Sequence, residues 1–146
     1  MGTKTKPEMR SFKGLFSSIN QKWKTPLELY NELNKEFDFD FDPCPDEPES
    51  DGLDIEWGER NFVNPPYNQL TAWMEKGFEE FKKGKLVVFL IPSRTDTRWW
   101  HNFCMKATEI RFIKGRLSFE GFGGGSAPFP SCVVIFKGGY NGMEKS

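Results

Sequence analysis

The sequence predicts an α/β fold with a mostly parallel sheet and an antiparallel C-terminal strand. Three observations carry this. Stretches with helical spacing alternate with short apolar runs, the pattern of a layered α/β domain. One of those runs, Lys85 to Ile91, is continuously apolar after its first residue, as a strand buried on both faces is. The last two predicted strands have no helix between them, so they are expected to run antiparallel.

The elements follow in order. Thr25-Pro26-Leu27-Glu28 reads as a helix start, with Thr25 as the cap, Pro26 at the first helical position and Glu28 completing a capping box. Leu29, Tyr30, Leu33 and Phe37 continue at helical spacing, giving a helix over about 26–36. The strict alternation Phe37-Asp38-Phe39-Asp40-Phe41-Asp42 predicts a strand ended by Pro43 and Pro45. Residues 43–59 are rich in Pro, Asp, Glu and Gly and read as loop. A short strand at 60–63 stops at Pro65-Pro66. Leu70, Trp73, Met74, Gly77, Phe78 and Phe81 form the apolar stripe of a helix over 68–83, ended by Gly84. The strand at 85–91 ends at Pro92, and Thr95 or Asp96 caps a helix over 96–106. Strands are expected at 108–113 and 132–137, separated by the glycine-rich stretch 121–125.

A chain of 146 residues fits one domain, expected at 21–140 between tails at 1–20 and 141–146. The net charge is -1, so the chain lacks the basic excess of a dedicated duplex binder, and any nucleic-acid contact must come from local clusters. Cys44, Cys104 and Cys132 have neither zinc-ligand nor disulfide-framework spacing. The polar first 20 residues read as no signal peptide, and the longest apolar run is far too short to cross a membrane. Together these predict a reducing, cytoplasmic setting.

The tetrad Asn64-Pro65-Pro66-Tyr67 carries the chemistry. It closes a predicted strand, and ligands in such sheets bind beyond the carboxyl ends of the strands. The Asn64 side-chain oxygen and the Pro65 carbonyl are two acceptors on one turn. Aimed at the N–H groups of an aryl amine, they favour a pyramidal nitrogen and stabilise the positive charge that grows as it attacks. The prolines fix the turn and add no competing donor, while Tyr67 offers a flat face to a planar substrate.

The tetrad resembles motif IV of the amino-methyltransferases, which protein glutamine and RNA methyltransferases share. A wider set resembles the small phage-type DNA N6-adenine methyltransferases. It comprises Trp23-Lys24-Thr25-Pro26, Phe41-Asp42-Pro43-Cys44, Asp51-Gly52-Leu53 with Trp57, the tetrad, Ile91 to Trp99, Gly115-Arg116-Leu117-Ser118-Phe119 and Ala127-Pro128-Phe129-Pro130-Ser131. The resemblance implies a Rossmann-like methyltransferase fold that binds S-adenosylmethionine. It implies that Asp42, Pro43 and Cys44 occupy the cofactor corner, that Trp23, Lys24, Thr25 and Pro26 lie near its methionine end, and that Asn64 to Tyr67 hold an adenine flipped out of duplex DNA. Asn64 would thus adjoin the cofactor too. The chain departs from the larger enzymes in lacking a glycine-rich motif I. Only about 20 residues separate Asp42 from Asn64, too few for two crossovers of about 30 residues each, so the sheet is expected to be abbreviated. The competing readings are methylation of an RNA base or a protein glutamine, and a non-catalytic module that binds nucleic acid or a partner.

Other features read more plainly. Asp38, Asp40, Asp42 and Glu49 have the spacing of a calcium loop, but Pro43 stands where that loop needs glycine, so no metal site is expected. His101, the sole histidine, reads as a packed or surface residue. Arg94 and Arg116 are candidate phosphate contacts, and the remaining basic residues are expected in ordinary ion pairs.

Overall fold

A computed structural model describes residues 24–45, 48, 50–118 and 126–138. The expected tails at 1–20 and 141–146, Trp23 and the glycine-rich stretch 121–125 lie outside the described residues.

The element order is α1 (Leu27–Phe37), β1 (Arg60–Val63), α2 (Leu70–Lys82), β2 (Leu86–Pro92), α3 (Arg98–Asn102), β3 (Glu109–Phe112) and β4 (Ser131–Phe136). Single 3-10 turns at Tyr67–Gln69 and Cys104–Lys106 precede α2 and follow α3. The helix expected over 96–106 is therefore one α turn and one 3-10 turn, capped by Thr97, whose Oγ1 accepts from Trp100 N.

The four strands lie in the order β1-β2-β4-β3. β1 runs parallel to β2, and β4 is antiparallel to both β2 and β3. Three strands thus share one direction, but β4 enters between two of them, so one ladder of three is parallel. The expectation of a mostly parallel sheet holds for strand direction and fails for pairing. β4 also sits inside the described sheet, not at its edge.

Strand alternation sorts side chains into two cores. Phe62, Val88, Leu90, Val133 and Ile135 face α1, packing with Leu33 and Phe37. Val63, Val87, Phe89, Ile91, Cys132, Val134 and Phe136 face α2 and α3, packing with Trp73, Met74, Phe78, Phe81, Trp99 and Trp100. β2 is buried on both faces, as its apolar run predicts. A Cβ added at Gly77 would lie 2.3 Å from the Phe89 ring, so glycine lets α2 settle on the sheet.

The strand expected over Phe37–Asp42 reduces to a parallel bridge between Phe41 and Asn61. Phe37 is the last residue of α1, and Asp38 closes it in the left-handed conformation with φ 54°. That turn consumes the residues that would begin the strand. The alternation survives as extended backbone along β1, with Asp40 N donating to Arg60 O and Phe62 N to Phe41 O. Asp40 accepts from Arg60 N at 3.0 Å and pairs with its guanidinium at 3.5 Å.

The capping box does not form. Pro26 is the residue before α1, and no side chain caps the helix. Among the described residues no helix is long and apolar enough to cross a membrane.

Candidate active site

Three chain segments meet at one end of the sheet. The parallel strands β1, β2 and β3 deliver their carboxyl ends there, and β4 begins there because it runs the other way. Asn64 follows β1, Ser93 and Arg94 follow β2, and Phe129-Pro130-Ser131 lead into β4. Ser93 N donates to Pro130 O at 2.9 Å, which fastens the second segment to the third.

Asn64 is 1% exposed. Its Nδ2 donates to Thr25 Oγ1 at 2.9 Å, a contact across 39 residues of sequence. Thr25, expected to cap α1, instead holds the tetrad. With Nδ2 turned to Thr25, the amide directs Oδ1 the opposite way. Pro65 is buried and Pro66 half-buried, so the turn that fixes the Pro65 carbonyl is rigid and largely shielded from water.

Tyr67 opens the turn before α2 with its ring half-buried. It packs edge-on against Phe129, with centroids 5.1 Å apart and an interplanar angle of 73°. This contact joins the two cores around the end of the sheet, because Tyr67 packs on the α2 side and Phe129 on the α1 side. The Arg94 guanidinium lies over the Phe129 ring, 6.0 Å from its centroid. Tyr67 Oη and Ser131 Oγ are buried with no hydrogen-bond partner among the described residues. Burial pushes the Tyr67 phenol well above its usual range, with the Cys132 thiol adding to the rise and Arg94 opposing it. Burial likewise raises Cys132 to about 11, moderated by the Ser93 hydroxyl, so this thiol is no nucleophile at neutral pH.

The segment Asp42-Pro43-Cys44 lies beside this group. Phe41 pairs with Asn61 in β1, so the residues after Phe41 emerge at the same end as Asn64. Asp42 Oδ1 accepts from Cys44 N at 2.8 Å, closing a side-chain turn where a glycine-rich loop is absent. Pro43 and Cys44 are buried. A Cβ at Gly52 would sit 2.0 Å from the Pro43 carbonyl oxygen and 2.7 Å from the Trp73 ring. Trp57 Nε1 donates to Gly52 O at 2.7 Å, and the Trp57 ring stacks on Trp73 at 6.1 Å. Trp57 and Gly52 thus brace the Asp42 turn from behind.

The fold therefore brings together Thr25, Asp42, Pro43, Cys44, Asn64, Pro65, Pro66, Tyr67 and Arg94 at one end of the sheet. Pro26 begins α1 directly after Thr25, and Lys24 is exposed just before it. Arg116 does not join the cluster. It is exposed on the turn after β3, which lies three strand positions from β1, about 14 Å at ordinary strand spacing. His101 is exposed, with Nε2 2.8 Å from Thr95 O. Arg111 forms the ion pair expected of it, bidentate to Glu36 at 2.7 Å.

Sequence reasoning quoted Phe129, Ser131 and Ser93 but gave them no role in the site. The flanking prolines of Pro128-Phe129-Pro130 were the available signal, since they mark a backbone held rigid beside a strand start.

Comparison with known proteins identifies the family. The model of the DNA N-6-adenine-methyltransferase (Dam) family matches residues 14–130, which include every segment of the cluster up to Pro130. A DNA N-6-adenine-methyltransferase of Escherichia phage T1 is 25% identical over 124 residues, covering 75% of this chain and 52% of that protein. The chain thus spans about half the length of the curated relative it matches. No solved structure matches it. The chain belongs to the DNA N-6-adenine-methyltransferase (Dam) family.

Proposed function

We propose that the chain transfers a methyl group from S-adenosylmethionine to the exocyclic amine of adenine in DNA, on an abbreviated Rossmann-like fold. The observation that carries this reading is Asn64, buried at a strand end, fixed through Nδ2 to Thr25 and followed by Pro65-Pro66-Tyr67 in a chain of this family.

The residues around the Asp42 turn support a place for the cofactor there. The Asp42 side chain orders the turn, Gly52 permits its close backing, and Thr25 ties the segment before α1 to the tetrad. Trp23, Lys24, Thr25, Pro26, Asp42, Pro43, Cys44 and Asn64 are the residues that would hold it. When bound, S-adenosylmethionine supplies an electrophilic methyl group on a sulfonium. The protein's task is then orientation. Asn64 Oδ1 and the Pro65 carbonyl accept the two amine hydrogens, which turns the nitrogen lone pair out of conjugation. Tyr67 supplies the platform for the base, with Phe129 closing one side. The partly buried setting strengthens these hydrogen bonds relative to water.

The base must leave the duplex stack to reach a buried turn. Arg94, exposed at the rim beside Phe129, is the residue best placed to meet the flanking phosphates, with Arg116 further along the same end of the sheet. The reaction takes place in the cytoplasm of the cell that holds the DNA.

The test is a transfer assay with tritiated S-adenosylmethionine that offers DNA, RNA and protein separately. Label is expected in DNA as N6-methyladenine and absent with Asn64→Ala. Label in RNA or in protein glutamine would reverse the choice of substrate. No label and no cofactor binding by titration would leave a non-catalytic module.

A further inference from the structure

We propose that Thr25 is a positioning residue for the transfer, acting through the Asn64 side chain. This rests on the reading of Asn64 as the acceptor for the substrate amine.

Three observations converge on it. First, Thr25 stands in a sequence built to cap a helix, yet α1 begins without any side-chain cap, and Tyr30 N closes the first turn on Pro26 O. The hydroxyl is withdrawn from the role that its local sequence favours. Second, it is spent on a contact across 39 residues, with Asn64 Nδ2 donating to Oγ1 at 2.9 Å. Third, the contrast with Asn61 shows what Thr25 does. Asn61 is equally buried, but backbone groups hold its amide at both ends. Gly58 N donates to its Oδ1, and its Nδ2 donates to Gly58 O and Leu86 O. Asn61 is a structural amide with both ends occupied by strand and loop backbone. Asn64 lies beyond β1, where the strand ladder has ended, and a side chain from a separate segment grips it.

The consequence is geometric. An amide rotated by half a turn exchanges a carbonyl acceptor for an NH2 donor at nearly the same shape. A donor facing the substrate amine would repel its hydrogens. The hydrogen bond from Nδ2 to Thr25 holds the acceptor on the substrate side. Because Thr25 directly precedes the Pro26 start of α1, that orientation also follows the placement of the segment before the helix.

The experiment compares Thr25→Val, Thr25→Ala and Thr25→Ser in the full chain, with Asn64→Ala as reference. DNA free of N6-methyladenine serves as substrate, and binding of S-adenosylmethionine is measured by titration calorimetry. Thr25→Val keeps the side-chain shape and removes the acceptor. It is expected to lower kcat about 10- to 100-fold at saturating substrates, the range for a misplaced reacting group. KM for DNA and Kd for the cofactor should stay within about threefold, because the hydroxyl that valine removes is bonded to Asn64 and any hold of Thr25 on the cofactor is left to its backbone and methyl group. Thr25→Ala should behave alike, and Thr25→Ser should recover kcat to within about threefold of wild type. The Asn64 side-chain NH2 resonances should move in the valine and alanine variants and stay near wild type in the serine variant.

Wild-type kcat in Thr25→Val would overturn the proposal. So would a loss of rate that saturating cofactor restores, because that would assign the hydroxyl to cofactor binding. A serine variant as slow as the valine variant would also overturn it. If Asn64→Ala is dead while Thr25→Val is not slowed, only this inference falls. If Asn64→Ala keeps its activity, the reading of the site falls first.

Discussion

The two ends of the sheet treat buried polar groups in opposite ways. At the end where β1 and β2 begin, Glu80 and Lys85 are both buried, and their hydrogen-bonding capacity is filled. Glu80 accepts from Lys85, from Lys76 at 3.0 Å, from Lys83 at 3.1 Å and from Trp57 N at 3.3 Å. Lys85 donates to Glu80, to Glu56 at 3.0 Å and to Trp57 O at 2.8 Å. At the other end, Tyr67 Oη and Ser131 Oγ are buried with no partner among the described residues. A protein that satisfies a buried carboxylate several times over at one end and strands two hydroxyls at the other has divided its labour. One end anchors the fold, and the other carries the residues proposed to meet cofactor and base. The Trp57 ring connects them, since its backbone belongs to the anchored network while its indole braces Gly52 behind the Asp42 turn.

Breaking each end in turn should separate stability from activity. Asn64→Ala should lower methyl transfer by at least about a thousandfold, on the scale of losing a transition-state hydrogen-bond partner. Its midpoint in urea should barely move. Lys85→Met should do the reverse. It leaves Glu80 buried without its closest cation, and is expected to lose about 3–5 kcal/mol in urea unfolding. Below the transition the folded fraction should keep a near-normal kcat. Pairing it with Glu80→Leu should recover much of the loss, because an apolar pair replaces the ionic one.

Acid sharpens the same contrast. Burial alone would raise the Glu80 carboxyl, but the hydrogen bonds from Lys85, Lys76, Lys83 and Trp57 N outweigh it and hold it at about 2. A carboxyl depressed on folding adds stability that is complete above its unfolded range, near 4.3 for a free glutamate. That stability is lost as pH falls from roughly 5 towards 2. Urea midpoints measured across that window should fall steeply for the wild type and more shallowly for Glu80→Gln.

The smallest effect is expected at the stranded hydroxyl. Tyr67→Phe removes a buried O–H that has no partner, so stability should be unchanged or rise by about 1 kcal/mol. A clear loss of stability, read from the same urea curves, would mean that the hydroxyl is satisfied and that the contrast between the ends is weaker than described.

What the sequence disclosed depends on how far each signal reaches. The burial of β2 on both faces and the Leu70–Phe81 stripe of α2 are periodic within a single element, and both are found where expected. The Phe–Asp alternation at 37–42 was real, but a left-handed Asp38 turned its first residues into a helix end, a choice made by a single backbone angle. The place of β4 between β2 and β3 is a pairing between segments some 40 residues apart, and no local pattern carries it. The site divides in the same way. Asn64-Pro65-Pro66-Tyr67 announced itself as a contiguous motif. The hold of Thr25 on Asn64 and the wall formed by Phe129 depend on tertiary contact, and in Thr25 the local capping signal pointed elsewhere.

The insertion of β4 also ties the core to the site. Without residues 131–136, β2 and β3 have no strand between them, and the edges that pair with β4 are open. Phe129 and Pro130 lead directly into β4, whose first residue is Ser131, and Ser93 N donates to Pro130 O. The same strand therefore completes both the core and the wall of the site. A chain without β4 holds the whole Asn64 motif and still lacks the wall beside it, so the proposed transfer depends on the docking of this last strand.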